Sequence, residues 1–309
     1  MSSARVRSLM MRHATFYSPV IAAVAGGFLK AEGIDAEYLI RTPEQNPLEM
    51  LQSGEIEISQ SAVSSSWARI EKGLRNLPVH FAQINRRDGF WLSARGSGGL
   101  SVSAFSSTHD SGPFDWSSLE GRTILADHGP QPMAMLKYAA RKQGVDWGRV
   151  KVIDAGDPAA MDKAYRDGEG DFIHQQGPLP QQLLRDGVGH IVASVGQAMP
   201  EVAFSSLSAM PAFLETDTAA SFMRGYRKAL SWCVSGPSGK IAAMVSPYFK
   251  GTNLGIISSS VASYKGLDCW SKDTAISKEL YDQAIEVFTD TGGLKIRPLY
   301  EDVVVEAPA

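Results

Sequence analysis

The most constraining feature of this sequence is a local pattern that occurs twice. Residues 47–58 (PLEMLQSGEIEI) are typical of a helix that ends at Gly54, an acidic turn and a strand. Residues 158–173 (PAAMDKAYRDGEGDFI) repeat that order, with Gly168 in the place of Gly54. Because each copy lies within a strand–helix–strand run, we predict two similar α/β lobes that face one another.

Length and composition agree with such a molecule and exclude several function classes. The 309 residues suffice for two domains with a core each, and 44% hydrophobic and 20% charged residues are typical of a globular protein. A net charge of -3 without a basic run indicates neither nucleic acid nor an anionic membrane surface as a partner. No stretch is long enough to insert into a bilayer. The two cysteines, Cys233 and Cys269, favour separate buried thiols over one disulfide, and neither has a nearby partner for a metal.

The N-terminus admits two interpretations. Three arginines before the apolar residues 20–25 are compatible with a signal peptide, but residues 15–19 interrupt the hydrophobic region. We favour a strand at 6–11 and a first helix with Ser18 as N-cap, Pro19 at its first position and Gly33 as its end. The expected location is therefore cytoplasmic as the chain stands, or periplasmic if a leader was removed.

Strands alternate with helices along the chain, which predicts mainly parallel sheets with helices on their faces. The first lobe is expected to comprise residues 1–91 plus 203–309, and the second residues 92–202. Residues 96–116, rich in Ser and Gly, are expected to form a loop or an irregular hairpin. The predicted strands are 6–11, 36–41, 56–61, 78–84, 122–127, 150–154, 171–174 and 202–209; the predicted helices are 43–53, 64–73, 130–143, 159–167, 178–186, 218–234, 240–249 and 278–291.

Several of these segments resemble one family in order and spacing. Residues 16–19 (FYSP) followed by 27–37 (GFLKAEGIDAE) are similar to the opening of the SsuA-like family, which includes the thiamin-pyrimidine-synthesis proteins. The similarity continues at 51–58, 116–122 and 168–171, and covers about residues 6–250. It implies a type II periplasmic-binding-protein fold, in which two lobes joined by a two-strand hinge close over a ligand.

The resemblance also implies what the ligand and partner would be. Many relatives are extracytoplasmic receptors that deliver sulfonates, nitrate, taurine-like compounds or pyrimidines to ABC importers. Other proteins of the fold work in the cytosol, as pyrimidine-biosynthesis enzymes, decarboxylases or dehydratases. The cysteine-rich motif of the pyrimidine-synthesis group is absent from this sequence.

The expected binding site lies beyond the carboxyl ends of the strands, where α/β sheets hold their ligands. Four of these ends, at 13–19, 61–66, 127–132 and 174–180, pass through polar residues into a helix whose free backbone N–H groups suit an anion. Ordinary helix capping is the alternative for each. The residues predicted to contact ligand are His13, Phe16, Tyr17, Ser61, Ser64, Ser65, Asn85, His128, Gln131, His174 and Gln175.

The histidines leave two functions open. His13, His128 and His174 all follow strands, and are expected to face each other across the cleft, where they could donate hydrogen bonds or titrate near neutral pH. A three-histidine metal site is the less favoured reading, and no cofactor is indicated. The sequence lacks the motifs of nucleophilic, phosphate-loop or dinucleotide sites. We therefore predict a binding protein for a small anionic or polar molecule; a cytosolic enzyme with acid–base histidines or a cytosolic ligand sensor is the alternative.

Overall fold

The computed structural model describes residues 3–95 and 114–309, so most of the predicted loop at 96–116 lies outside the described residues. Within them the strands are β1 (Ala4–Met10), β2 (Ile34–Ile40), β3 (Ile58–Ser61), β4 (Val79–Asn85), β5 (Phe90–Ala94), β6 (Thr123–Leu125), β7 (Lys151–Ile153), β8 (Phe172–Gln176), β9 (His190–Ser194) and β10 (Ser205–Ala209). The helices are α1 (Ser18–Ala25), α2 (Pro47–Ser53), α3 (Trp67–Glu71), α4 (Pro130–Lys142), α5 (Pro158–Arg166), α6 (Leu179–Arg185), α7 (Pro211–Leu214), α8 (Asp217–Ser235), α9 (Ser238–Val245), α10 (Leu254–Gly266), α11 (Lys278–Asp290) and α12 (Tyr300–Val303).

The strands form two sheets with the same topology. The first has the order β2-β1-β3-β10-β4 and the second β7-β6-β8-β5-β9. In each sheet the first strand of the lobe lies parallel between the second and the third. A strand that arrives from the other lobe is then inserted antiparallel before the last one. The two-lobed α/β architecture is confirmed, and each sheet is mixed because of this inserted strand.

The duplicated pattern occupies equivalent places in the two sheets. Both α2 and α5 connect the second strand of a lobe to its third, and both begin at a proline that follows a capping side chain. Asn46 accepts a hydrogen bond from Leu48 N at 3.2 Å, and Asp157 accepts from the first turn of α5 at 2.8–2.9 Å. Each helix also packs over a small apolar cluster of its own. The repeat is therefore a structural unit, in which one helix connects the second strand of a sheet to the third and packs over its own apolar cluster.

The chain passes between the sheets twice, through residues 86–89 and 195–204. These segments contact each other closely: Val202 N donates to Arg86 O at 2.9 Å, and a Cβ on Gly196 would clash with the carbonyl of Asp88. The main hydrophobic cluster continues through this hinge, since it includes Phe90 of β5 and Phe204. The domain limits at 91/92 and 202/203 remain a prediction, and β5 begins at Phe90.

Two local predictions about the first helix were wrong, and not every element was predicted. The first helix ends at Ala25, and Gly33 instead ends a short 3-10 turn at Lys30–Glu32 with φ of 77°. Ser18 is the first helical residue and its hydroxyl donates to Thr15 O at 2.6 Å, so it does not cap the helix. The strand β9 and the helix α10 were not predicted. Serine-rich α10 has only a weak amphipathic pattern, which gives no clear signal in the sequence.

The unpredicted helix α10 connects the two lobes. The Tyr264 hydroxyl donates to Gly89 O in the hinge at 3.0 Å and accepts from Gly177 N, after β8, at 2.7 Å. The Ser260 and Thr15 hydroxyls share a 2.6 Å hydrogen bond, and Thr15 begins the 3-10 turn that precedes α1 in the first lobe. The side chains of Tyr264, Ser260 and Thr15 are all buried. The helix therefore braces the ends of β1 and β8, where the binding site was expected.

Candidate functional site

Two neighbouring cavities lie at the carboxyl ends of the strands. The larger, about 750 Å³, is bounded by the turns after β1, β2, β6, β7 and β8, and we call it the polar chamber. The smaller, about 400 Å³, is bounded by the turns after β1, β3 and β6 and by the segment after α11, and we call it the apolar chamber. Residues from both lobes line each chamber. This arrangement agrees with the expected cleft between the lobes, at the carboxyl ends of the strands of both sheets.

An ion pair across the cleft separates the chambers. Arg12 follows β1 and Asp127 follows β6, and both lie in the walls of the polar chamber. The guanidinium is bidentate on the carboxylate, with Nη2 at 2.8 Å from Oδ1 and Nη1 against Oδ2. Gly129 N also donates to Asp127 Oδ1 at 2.8 Å. Arg12 lines the apolar chamber as well, so the pair forms the partition.

Burial and pairing act in opposite directions on these two groups. Burial disfavours the charge on Arg12, but the contact with Asp127 outweighs it and raises the pKa of Arg12. Burial likewise opposes ionisation of Asp127, yet the hydrogen bond from Arg12 brings the pKa of Asp127 below its ordinary value. The side chains are 26% and 11% exposed. Both groups are therefore charged and committed to each other at neutral pH.

A neutral bridge accompanies the ion pair on the side of the apolar chamber. Ser64, in the 3-10 turn after β3, donates to Gln131 Oε1 at 3.0 Å. Gln131 lies in the first turn of α4, and its amide donates in turn to Phe204 O in the segment that leads into β10. Both residues were predicted to contact ligand, and both line this chamber. Their contacts show a second role, which is to join the lobes.

His13 lies in the wall of the polar chamber with both ring nitrogens engaged. Nδ1 is 3.1 Å from the Tyr38 hydroxyl and Nε2 is 2.8 Å from Tyr248 O. A neutral ring satisfies both by donating from Nε2 and accepting at Nδ1. Phe249 stacks on the ring at 4.5 Å. Burial lowers the pKa of His13 and the hydrogen bond to Tyr248 partly opposes this. The expectation of a histidine free to bind or titrate does not fit these contacts.

His128 and His174 complete the predicted trio, and all three line the polar chamber. His128 Nδ1 donates to Ala126 O at 2.7 Å and lies 3.6 Å from Asp154, which leaves Nε2 as an acceptor in the neutral ring. His174 is fully buried and stacked on Phe90 at 4.3 Å. Burial lowers the pKa of His174 to about 3, so its ring is neutral.

The end of β8 contains buried polar atoms that form no hydrogen bond with any described residue. Both ring nitrogens of His174, Oε1 of Gln175 and Nε2 of Gln176 are buried without a hydrogen-bond partner among residues 3–95 and 114–309. Gln175 is 3% exposed, and its amide nitrogen is 3.4 Å from Asp162. Because such atoms are rare in folded proteins, a group that enters the polar chamber is the natural partner for them.

Of the remaining residues predicted to contact ligand, some line the apolar chamber and others pack outside both chambers. Tyr17, Ser61 and Ser65 line the apolar chamber. Burial raises the pKa of Tyr17, whose hydroxyl lies within reach of Gln176 and Ser205. Phe16 and Asn85 line neither chamber. Both are fully buried, and Asn85 Nδ2 donates to Phe16 O at 2.9 Å. The ligand contact expected of these two residues stays a prediction.

Several wall residues were missed by sequence reasoning. The apolar chamber includes Phe204 and Phe288, which lie far apart along the chain. The polar chamber includes the carboxylates Asp154 and Asp157, in the turn after β7. Distance along the chain hides the first set. The second set could have been found, since it follows a predicted strand as the histidines do.

Two possible kinds of site find no support in the described residues. No cluster of three or more His, Cys, Asp or Glu side chains there has the spacing to hold a metal ion. No described helix combines the length and the apolar character required to cross a bilayer. Cys233 and Cys269 are separate, buried thiols, and burial raises the pKa of both, to about 12 for Cys233.

Comparison with known proteins places the fold. No family model matches the sequence. The chain is 25% identical over 304 residues to "Putative binding protein YtlA" of Bacillus subtilis (strain 168), a match that covers 97% of this chain and 87% of that protein.

Solved structures of binding proteins superpose over nearly the whole chain. The alkanesulfonate-binding protein SsuA of Xanthomonas axonopodis pv. citri, bound to MOPS, matches with a TM-score of 0.72 at 14% identity, covering 99% of this chain and 100% of that one. A ligand binding component of an ABC-type import system from Staphylococcus aureus, with zinc bound, matches with a TM-score of 0.73 at 14% identity, covering 98% and 97%. The chain has the fold of the periplasmic binding proteins, and its predicted SsuA-like architecture is confirmed.

Proposed function

We propose that this protein binds one small polar organic molecule in the cleft between its lobes and releases it unchanged. The observation that carries the proposal is the polar chamber of about 750 Å³, whose wall is made from the strand ends of both sheets. A cavity of that size accommodates a small metabolite. Its position between two lobes lets a rigid-body movement at residues 86–89 and 195–204 open and close it.

The local chemistry supports binding over catalysis. Both nitrogens of His13 are hydrogen-bonded, and the pKa values of His13 and His174 lie below the ordinary histidine value, so neither is suited to accept a proton near neutral pH. Among the described residues His174 has no hydrogen-bond partner, and the hydroxyl that His13 contacts, that of Tyr38, is not an activated nucleophile because burial raises its pKa. The relatives named above are described as binding proteins, which also supports this choice.

Ligand binding can be tested before the ligand is identified. Mass spectrometry of the purified native protein should detect a co-purified small molecule. Thermal-shift screening of sulfonates, carboxylates and pyrimidine-like rings should then find compounds that raise the melting temperature, because a ligand present at about 100 times its Kd stabilises the native state by about 2.7 kcal/mol. Conversion of a hit to product would show an enzyme, and the absence of any binder would refute the proposal.

We further infer that the ligand is delivered to an ABC importer, as the description of the Staphylococcus aureus structure suggests for that protein. An importer receptor works outside the cytoplasm. Fractionation of cells that express the full natural gene product tests this part separately. Recovery in the cytosol alone would exclude delivery to an importer and favour a cytosolic binding or sensing role, while ligand binding itself would stand.

A further inference from the structure

The chemistry of the polar chamber limits the charge of what it can hold. Five formally charged side chains other than histidine line it within the described residues: Arg12, Arg41, Asp127, Asp154 and Asp157. Carboxylates outnumber guanidiniums by three to two. An anion that entered the chamber would therefore meet no net positive field from these groups.

The central guanidinium is not available to an anion. Arg12 already makes a bidentate contact with Asp127, the arrangement in which a carboxylate satisfies an arginine best. Arg41 lies at the outer part of the wall beside exposed Ile40, and its Nε donates to Gln45 O at 3.1 Å. Arg86 and Arg87 contact Glu201 near the hinge and line neither chamber.

The buried atoms at the end of β8 require a ligand with hydrogen-bond donors. Gln175 Oε1 can only accept a hydrogen bond, and a neutral His174 ring offers one donor and one acceptor. The amide nitrogen of Gln176 in the same wall adds a donor, so the matching ligand edge presents N–H or O–H groups beside acceptors. A sulfonate or carboxylate presents acceptors alone, and would leave Gln175 Oε1 unpaired.

We propose that the polar chamber takes an uncharged or cationic ligand with an amide-like edge that carries N–H donors, rather than a sulfonate or a carboxylate. This inference rests on the proposed function and narrows its ligand class. The ligand edge contacts His174 and Gln175, and any positive part of the ligand lies towards Asp154 and Asp157. The ion pair Arg12–Asp127 stays intact when the ligand binds.

Matched pairs of probes test the charge of the ligand directly. Benzamide and benzoate, nicotinamide and nicotinate, and methanesulfonamide and methanesulfonate differ within each pair by one anionic group. Titration calorimetry of the full chain should give an amide that binds at least about tenfold more tightly than its acid in every pair that binds, since one unpaired buried acceptor costs about that much. Acids that bind as tightly as their amides, or more tightly, would overturn the inference.

Two variants show whether the stated residues set this preference. Gln175→Leu removes the acceptor that the amide satisfies and that an acid leaves unpaired, so the preference for the amide over the acid should fall about tenfold. Asp127→Asn releases the guanidinium of Arg12, and should raise the affinity for the acid about tenfold or more. Asp282→Asn, which alters an exposed contact with Arg297 remote from both chambers, is the matched control and should change neither member. An unchanged preference in both cleft variants would contradict the assignment.

Failure of this inference and failure of the proposed function would give different experimental results. Binding of acids in preference to amides would leave a binding protein with the opposite charge preference. If no probe binds and mass spectrometry finds no co-purified molecule, the proposed function itself fails, and the charge preference falls with it. Circular dichroism of each variant confirms that the loss of binding is not a loss of folding.

Discussion

The turns after β1 and β6 occupy the same place in the two sheets and carry opposite charges. Each strand is the central parallel strand of its lobe, and Arg12 and Asp127 both lie two residues beyond its end. Because the lobes face one another, these equivalent positions meet across the cleft. The internal repeat therefore produces a contact between its own copies, and the difference between one arginine and one aspartate makes that contact attractive.

The next residue in both turns is a histidine, and here the two copies differ in their surroundings. His13 is enclosed by Tyr38 of its own sheet and by Tyr248 and Phe249 from the C-terminal helices. His128 has its hydrogen bond to Ala126 within its own turn, and its side chain is 37% exposed. The chain that follows β10 packs around the first lobe. Of these two equivalent histidines, His13 therefore has a structural role, because the segment after β10 covers it, whereas no such segment of the described chain covers His128.

The largest expected effect comes from breaking the ion pair on one side only. Asp127→Ala should lower the free energy of unfolding by about 3 kcal/mol, because it leaves the buried guanidinium of Arg12 without a counter-charge. Replacing both residues by leucine should cost less than the sum of the single changes. Urea denaturation of the parent and Asp127→Ala measures the single loss, and the same measurement on Arg12→Leu, Asp127→Leu and the double variant gives the coupling. Additive effects, within about 0.5 kcal/mol, would show that the two turns do not interact energetically.

A smaller effect tests whether Arg12, which is paired with Asp127, also stabilises the ionised carboxylate of Asp88. Asp88, in the hinge, is fully buried, accepts a hydrogen bond from Phe90 N at 2.6 Å, and has its pKa raised by burial to about 8. Since this folded pKa lies above the ordinary value of 3.8, the folded state holds the proton more tightly than the unfolded chain. The stabilisation is full below about pH 4, declines as the pH rises, and is gone above about pH 8.

Asp88→Asn, which mimics the protonated carboxyl, should remove this dependence. Between about pH 6 and pH 8 the parent should lose about 2 to 3 kcal/mol of unfolding free energy more than the variant, at about 1.4 kcal/mol per pH unit. Exposed Asp35→Asn on β2 is the control and should follow the parent. Parallel pH curves for the parent and Asp88→Asn would mean that Asp88 is ionised in the fold, and that Arg12 therefore stabilises both carboxylates.

The two histidines give the next prediction. His13→Ala should lower the free energy of unfolding by about 2 kcal/mol, because it leaves the Tyr38 hydroxyl and Tyr248 O without their partner and opens space beside Phe249. His128→Ala should cost less than about 1 kcal/mol, since one local hydrogen bond is lost at a solvated site. Thermal and urea unfolding of both variants checks this. Equal losses would show that the C-terminal helices do not make the two turns different.

Much of this fold was accessible from the sequence because its signals are local. The helix–glycine–strand pattern with a proline start predicted α2 and α5 and, through them, the two equivalent sheets. The histidines and serines at strand ends were placed in the walls because the carboxyl ends of parallel strands share an edge. Such inferences need only the periodicity and the turn residues within a short stretch of chain.

Contacts between distant segments were not accessible in this way. Tyr264 of α10, which braces the hinge, is 175 residues from Gly89. Phe288 of α11, in the apolar chamber, is also far along the chain from β1 and β3, whose ends form part of that wall. Arg12 and Asp127 were each visible at a strand end, yet their pairing depends on how the lobes face one another. Only the superposition of the two repeats onto one another would have suggested it.

The smallest expected effect concerns the neutral bridge, and it separates two kinds of contact between the lobes. Ser64→Ala removes the donor to Gln131 Oε1 and should lower the free energy of unfolding by about 1 kcal/mol. Ser65→Ala, the exposed neighbour in the same chamber wall, is the control and should cost less than about 0.5 kcal/mol. Repeating both at about 0.05 M and about 0.5 M salt sharpens the result, because added salt screens interactions between charges and leaves a neutral hydrogen bond unaffected. The effect of Asp127→Ala should shrink with salt while that of Ser64→Ala stays constant. If both respond alike, the lobes are held together by packing at the hinge, and the complementary turns contribute little to their closure.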